Sequence, residues 1–151
     1  MEERFAAEPM LGKLAKWLRM IGCDVLYLRS YREEDLLPLL DQGRRLLSRR
    51  TLVQGYGPGV ILIRSDRVSE QLKELQSLGC IYLDRSKFFT RCLRCNVPLK
   101  DASPEAARSS VPEHVYHENP SGIRCCPQCG RFFWPGTHRD RMLTQLARWG
   151  L

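Results

Sequence analysis

This sequence predicts a small α/β fold, a three-layer arrangement around a parallel sheet, followed by a metal-stapled ribbon and a final helix. Three observations carry the prediction. Across the first 88 of 151 residues, short apolar runs alternate with segments of helical periodicity, the pattern of strand–helix–strand units. Beyond them stand two Cys-x-x-Cys pairs, Cys92/Cys95 and Cys126/Cys129. The composition, 43% hydrophobic, is enough to bury an ordinary core. The expected division is an α/β domain over residues 1–88 and a ribbon with a C-terminal helix over residues 89–151.

Residues 4–7 are short and apolar enough for a first strand, and Pro9 suits the first turn of a helix, where its missing N–H costs nothing. Met10, Leu11, Leu14, Trp17, Leu18 and Ile21 then recur at helical spacing, with Gly22 as the stop. Residues 25–28 read as a buried strand, and residues 33–42 as a second helix with Leu36, Leu37, Leu39 and Leu40 inward, interrupted by Pro38. A third strand is expected over 45–48, a loop over 54–59, and a continuous β-branched strand over 60–63, read as central in the sheet. A helix over 69–78 turns Leu72, Leu75 and Leu78 inward and ends at Gly79; residues 81–83 are a candidate edge strand. Right-handed crossovers connect such units.

After residue 89 the composition changes. Residues 98–120, polar and proline-bearing, read as loop between the cysteine pairs. Residues 132–134 form a short aromatic strand, and Thr137 is placed to cap a final helix over 138–149. Thirty residues separate the two cysteine pairs, and each pair is a turn that lets both sulfurs face one ion. Four thiolates suit a closed tetrahedral zinc (or iron) site, the alternatives being two disulfides or four unrelated buried thiols. Paired Cys-x-x-Cys in a chain without an apolar leader after Met1 favours metal, and with it a reduced, cytoplasmic setting. No run approaches the ~18 apolar residues of a membrane helix.

The 24 Lys and Arg residues outnumber the 17 acids, giving +7 and a pI near 9.2. That balance points to a polyanionic partner, nucleic acid before others, with scattered solvated charge as the bland reading. Lys13, Lys16, Arg19, Arg49, Arg50 and Arg64 fall near the first helix or the strand ends, where they can track a phosphate backbone. In open α/β sheets, sites form beyond the carboxyl ends of the strands. Glu8, Glu34, Asp35 and Asp66 are carboxylates available there for magnesium or manganese, with capping or solvated roles beside the ligand role for each.

The run Met10-Leu-Gly-Lys-Leu-Ala-Lys-Trp-Leu-Arg19, then Gly22-Cys-Asp24 and Leu46-Leu-Ser-Arg49, resembles the Mut-seven C-terminal ribonuclease domain. Arg64-Ser-Asp66 with Gln71-Leu72, Phe89-Thr-Arg-Cys92, and Cys126-Pro-Gln-Cys-Gly130 running into Trp134-Pro-Gly-Thr-His138 extend the resemblance over nearly the whole chain. It implies a PIN-like fold with an appended zinc ribbon and magnesium- or manganese-dependent RNA cleavage around Glu8, Glu34 or Asp35, and Asp66. Family members place Asp where Glu8 stands, and Thr-Arg-Asp where this chain has Ser48-Arg49-Arg50. Arginine at position 50 puts a cation where a metal would sit. The reading is an RNA-acting protein with a degenerate acidic site; the alternatives are a cleavage-deficient RNA- or ribonucleoprotein-binding relative and a zinc ribbon that recognises another protein.

Overall fold

Strands β1 (Arg4–Ala7), β2 (Asp24–Tyr27), β3 (Arg44–Ser48) and β4 (Val60–Leu62) form one parallel sheet, ordered β2–β1–β3–β4, in the computed structural model, which describes residues 2–151. Side-chain alternation along β1 sorts the core. Phe5 and Ala7 face a cluster with Leu14, Leu18, Leu72 and Leu75, whereas Ala6 faces Leu36, Leu46 and Val53. Helices α1 (Gly12–Met20) and α3 (Val68–Ser77) thus cover one face, and α2 (Leu36–Asp41) the other. This is the three-layer α/β arrangement that the alternating pattern implies.

Several local details differ from the sequence reading. The β-branched run at 60–63 lies at the sheet edge, beside β3 only, because β1 and β3 hold the centre. The expected helix over 33–42 splits into a 3-10 turn (Glu33–Asp35) and α2, which places Pro38 in the first turn, where no intrahelical N–H is needed. Of its four leucines only Leu36 is fully buried, and Leu37 is 51% exposed. Leu78, at the end of α3, is likewise on the surface, and residues 81–83 form no strand. Gly22 closes α1 at φ +101°, where a Cβ would come within 2.7 Å of the Lys87 carbonyl oxygen.

The C-terminal part is a three-stranded antiparallel sheet, β5 (Lys100–Asp101), β6 (Arg124–Cys125) and β7 (Phe132–Phe133). Where the sequence predicts loop, two short helices, α4 (Pro104–Ser110) and α5 (Glu113–Glu118), enclose a small core of Ala107, Val111, Val115 and Ile123. Helix α6 (Thr137–Arg148) returns to the first core through Met142 and Leu146, and Trp149 packs on Trp17 with ring centroids 4.7 Å apart. Its N-cap is Gly136 rather than Thr137, which is the first helical residue.

The first cysteine turn is bolted to the α/β layer. The buried Arg19 guanidinium donates to the carbonyls of Val25 (3.0 Å), Leu93 (3.0 Å) and Arg94 (3.1 Å). Arg19, expected on an RNA-facing stripe, is therefore an internal strut. Asn96 accepts from the Val25 N–H (2.9 Å) and donates to Asp24 (2.7 Å), which also receives the Arg44 guanidinium. Arg91 reaches the carbonyls of Gly22 and Asn96. Burial alone would raise the Asp24 pKa, but the hydrogen bonds from Arg44 and Asn96 outweigh it and hold the carboxyl below its ordinary value.

Candidate functional site

In the order β2–β1–β3–β4 the chain leaves β1 in opposite directions, so the crevice beyond the ends of β1 and β3 is the topological switch point. Glu8 follows β1 there and is 2% exposed, a buried carboxyl at the sheet's carboxyl edge. Its two oxygens are taken by hydroxyls. Ser48 Oγ, at the end of β3, donates to Oε2 at 2.6 Å, and Tyr31 Oη donates to Oε1 at 2.5 Å. The Ser48 hydroxyl in turn accepts the Arg50 backbone N–H at 2.9 Å.

Arg50 closes the network from outside. Its Nη1 donates to the Tyr31 hydroxyl, and its guanidinium carbon lies 5.9 Å from the tyrosine ring centroid. Burial, followed by the hydrogen bond to Glu8, raises the Tyr31 pKa against the opposing pull of Arg50. The phenol therefore stays protonated and donates to Glu8 while accepting from Arg50. Tyr31 was not among the residues the sequence singled out; a hydroxyl four residues beyond β2, at the same edge as Glu8, was the available signal.

The remaining acids point elsewhere. Glu34 pairs with Arg32 at 3.0 Å, and Asp35 accepts the Arg32 backbone N–H at 2.7 Å, both on the exposed turn before α2. Asp66 is exposed and does not cap α3; it lines a groove of about 420 Å³ with Pro9, Lys13 and Gln71. The N–H groups after β4, of Arg64 and Ser65, are instead received by Glu74 at 2.9 and 2.7 Å. Among the described residues, no trio of these acids comes together as a metal-ligand group. Magnesium or manganese fits this donor set poorly, because both Glu8 oxygens carry hydrogen bonds and the nearest charged side chain in their network is a cation. Lys13, Lys16, Arg50 and Arg64 lie on the surface, and Arg49 is half-buried with Nη2 3.4 Å from the Arg64 carbonyl.

The cysteines do converge. The sulfurs of Cys92, Cys95, Cys126 and Cys129 all lie within 4.8 Å of one another, with Cys92 Sγ and Cys129 Sγ 3.9 Å apart. A tetrahedron of thiolates at the usual ~2.3 Å zinc–sulfur distance has edges of about 3.8 Å, so the quartet is sized for a metal such as zinc. The two turns are copies of each other. Cys92 N–H bonds Val97 O and Cys126 N–H bonds Arg131 O, both at 2.9 Å; Asn96 and Gly130 return N–H groups to Cys92 and Cys126. Asn96 (φ +67°) and Gly130 (φ +75°) both adopt the left-handed conformation that closes each turn. Backbone N–H groups of Cys95 and Cys129 point at the first sulfur of their own turn at 3.4 Å. With four protein ligands no position remains for a substrate, and the chemistry such an ion supplies is structural. Cys23, Cys80 and Cys125 lie outside the quartet as free thiols.

The Mut7-C RNAse domain family model matches residues 3–146, nearly the entire chain. No curated protein and no solved structure matches it. Among the described residues no helix is long and apolar enough to cross a membrane.

Proposed function

The chain belongs to the Mut7-C RNAse domain family, and we propose that it acts on RNA by holding it at the carboxyl edge of the parallel sheet without metal-assisted cleavage. The observation that carries this reading is the Glu8–Tyr31–Arg50 chain of hydrogen bonds, backed by Ser48. A nuclease of this kind needs carboxylates free to bind a divalent cation, which activates water and steadies the leaving oxygen. Here the buried Glu8 carboxyl at that edge is tied to two hydroxyls, and a guanidinium stands beside them. A guanidinium is instead a good partner for a phosphate, which it meets with two parallel N–H donors.

The roles follow from position. Arg50, Arg49, Arg64 and Lys13 contact phosphates around the edge, and Lys16 extends that surface along α1. Glu8, Ser48 and Tyr31 hold Arg50 and the strand ends in place. Zinc occupies the cysteine quartet and fixes the ribbon. The test is equilibrium binding of labelled RNA over a salt series, with the Lys13→Ala/Arg49→Ala variant alongside. Each phosphate contact to a single strand contributes about −0.7 to the slope of log K against log salt, so losing two should flatten it by about 1.4. An unchanged slope and affinity would reject the strand-end surface.

A further inference from the structure

A further concavity lies away from the strand-end edge. A cleft of about 920 Å³ is lined by Lys16 of α1, by residues between 85 and 94 and by the ribbon, and neither Glu8, Ser48, Tyr31 nor Arg50 lines it. Among the described residues, seven Lys or Arg side chains line it against a single carboxylate, Asp101. That carboxylate stands 3.9 Å from Arg124, at the limit of an ion pair. Among the described residues, Lys16, Arg94, Arg131 and Arg139 have no acidic partner within 4.0 Å. A protein of net charge +7 thus gathers much of its excess into one hollow. Uncompensated cations on facing low-dielectric walls focus a positive potential, which calls for a polyanion.

The same walls carry half-buried aromatic faces. Trp134 follows β7, and a Cβ on Gly136 would come within 3.1 Å of its Nε1, so glycine there lets the indole lie against the backbone. In the same lining the Arg139 guanidinium sits 4.9 Å over the Phe89 ring, presenting a flat cationic plane. Stacking planes interleaved with cations are the equipment of a single-strand nucleic-acid site, since every base has a π-face and every nucleotide a phosphate. A duplex keeps its bases stacked on one another and out of reach of recessed side chains. An acidic peptide would answer the charge but leave the planes unused.

We infer that this cleft binds an unpaired stretch of RNA, its bases on Trp134 and on the Arg139–Phe89 plane and its phosphates on Lys16, Arg94 and Arg131. The inference rests on the reading that the chain acts on RNA, and gives that reading a second site. Lys16 lines the cleft and Lys13 lines the groove beside Asp66, three residues apart on α1. Residues at that spacing are neighbours on a helix surface, so a strand leaving the cleft is handed along α1 towards the strand-end edge.

The test is fluorescence anisotropy on the full metal-loaded chain, with labelled oligouridine, a blunt RNA duplex of equal length, and an oligoglutamate peptide as probes. Variants are Arg94→Glu/Arg131→Glu, Trp134→Ala and Trp134→Phe, with Lys13→Ala/Arg49→Ala for the other surface; circular dichroism and metal content verify each fold. Oligouridine should bind more tightly than the duplex, and the double charge reversal should weaken it by about tenfold or more. Trp134→Ala should cost about fivefold or more, while Trp134→Phe, which keeps a stacking face, should stay close to the wild type. Wild-type affinity in the folded cleft variants, with loss only in Lys13→Ala/Arg49→Ala, would overturn the cleft and leave the RNA reading standing. No RNA binding by the wild type would overturn the RNA reading itself, and the cleft with it. Equal affinity for the duplex, or oligoglutamate binding in place of RNA, would also overturn the inference.

Discussion

Replacing Arg19 by Met tests whether this residue is an internal strut or part of the RNA surface. Methionine keeps most of the apolar stem in its buried position and removes only the guanidinium. Three hydrogen bonds from a charged donor disappear, to the carbonyls of Val25, Leu93 and Arg94, the last two on the first cysteine turn. Such bonds are worth about 1.5–3 kcal/mol each in isolation, but they share one donor group and are not additive. Part of the loss is recovered because the two knuckle carbonyls are only part-buried and regain water. A net loss of about 3 kcal/mol is expected, which for a chain of this length lowers Tm by about 6–12 °C. The assay is thermal unfolding of the metal-loaded protein by circular dichroism, with RNA affinity measured below the transition. A shift under about 2 °C accompanied by weakened RNA binding would refute the reasoning and return Arg19 to the phosphate-contacting set.

Other expectations follow from the same geometry. Asn96→Ala leaves the Val25 N–H without its acceptor and puts a Cβ-bearing residue with no local polar contact at φ +67°; a loss of about 2–4 kcal/mol is expected in urea unfolding. Cys92→Ser should release the structural metal and unfold the C-terminal ribbon, read as lost metal content and altered melting; an unchanged melt would contradict the metal-site assignment. The Asp24 carboxyl is held below its ordinary pKa in the folded state, so its stabilisation is complete above the unfolded value near 3.8 and is lost as pH falls further. Stability measured in urea at pH 5 and pH 3 should therefore drop more for the wild type than for Asp24→Asn. Arg50→Asp places a second carboxyl beside Glu8 and should create manganese binding detectable by electron paramagnetic resonance that the wild type lacks.

Much of the fold is legible in the sequence because two-sided burial makes strands short apolar runs and one-sided burial makes helices periodic. The same logic explains the errors. A continuous apolar run at 60–63 reports that both faces of a strand are covered, and says nothing of whether its edges are paired; β4 is covered on both sides yet ends the sheet. Helices α4 and α5, seven and six residues long, bury few side chains each, too few for a period to emerge. The local sign was Ser103-Pro104, whose serine caps α4 by accepting the Ala106 N–H.

Arg19 was misplaced by arithmetic on the helix. Steps of three residues turn about 300°, so the Lys13–Lys16–Arg19 stripe drifts by about 120° in two steps and carries Arg19 off the exposed face. The cysteine quartet was readable because ligand spacing is local within each turn. The Glu8 network was readable only in part. Ser48 and Arg50 announced themselves at a strand end, whereas Tyr31 comes from a loop whose path depends on the tertiary fold. The aromatic and basic walls of the cleft are drawn from α1, residues 85–94 and residues 121–139, and no local pattern links them.

The most direct test of the central claim is incubation of labelled single-stranded RNA with the wild-type chain in magnesium or manganese and, in parallel, in EDTA, beside Glu8→Gln. Intact RNA in every lane, with salt-sensitive binding that Glu8→Gln leaves largely in place, is the predicted result. Cleavage that needs the metal and disappears in Glu8→Gln would contradict it, and would make Glu8 a working ligand despite its hydroxyl partners and Arg50.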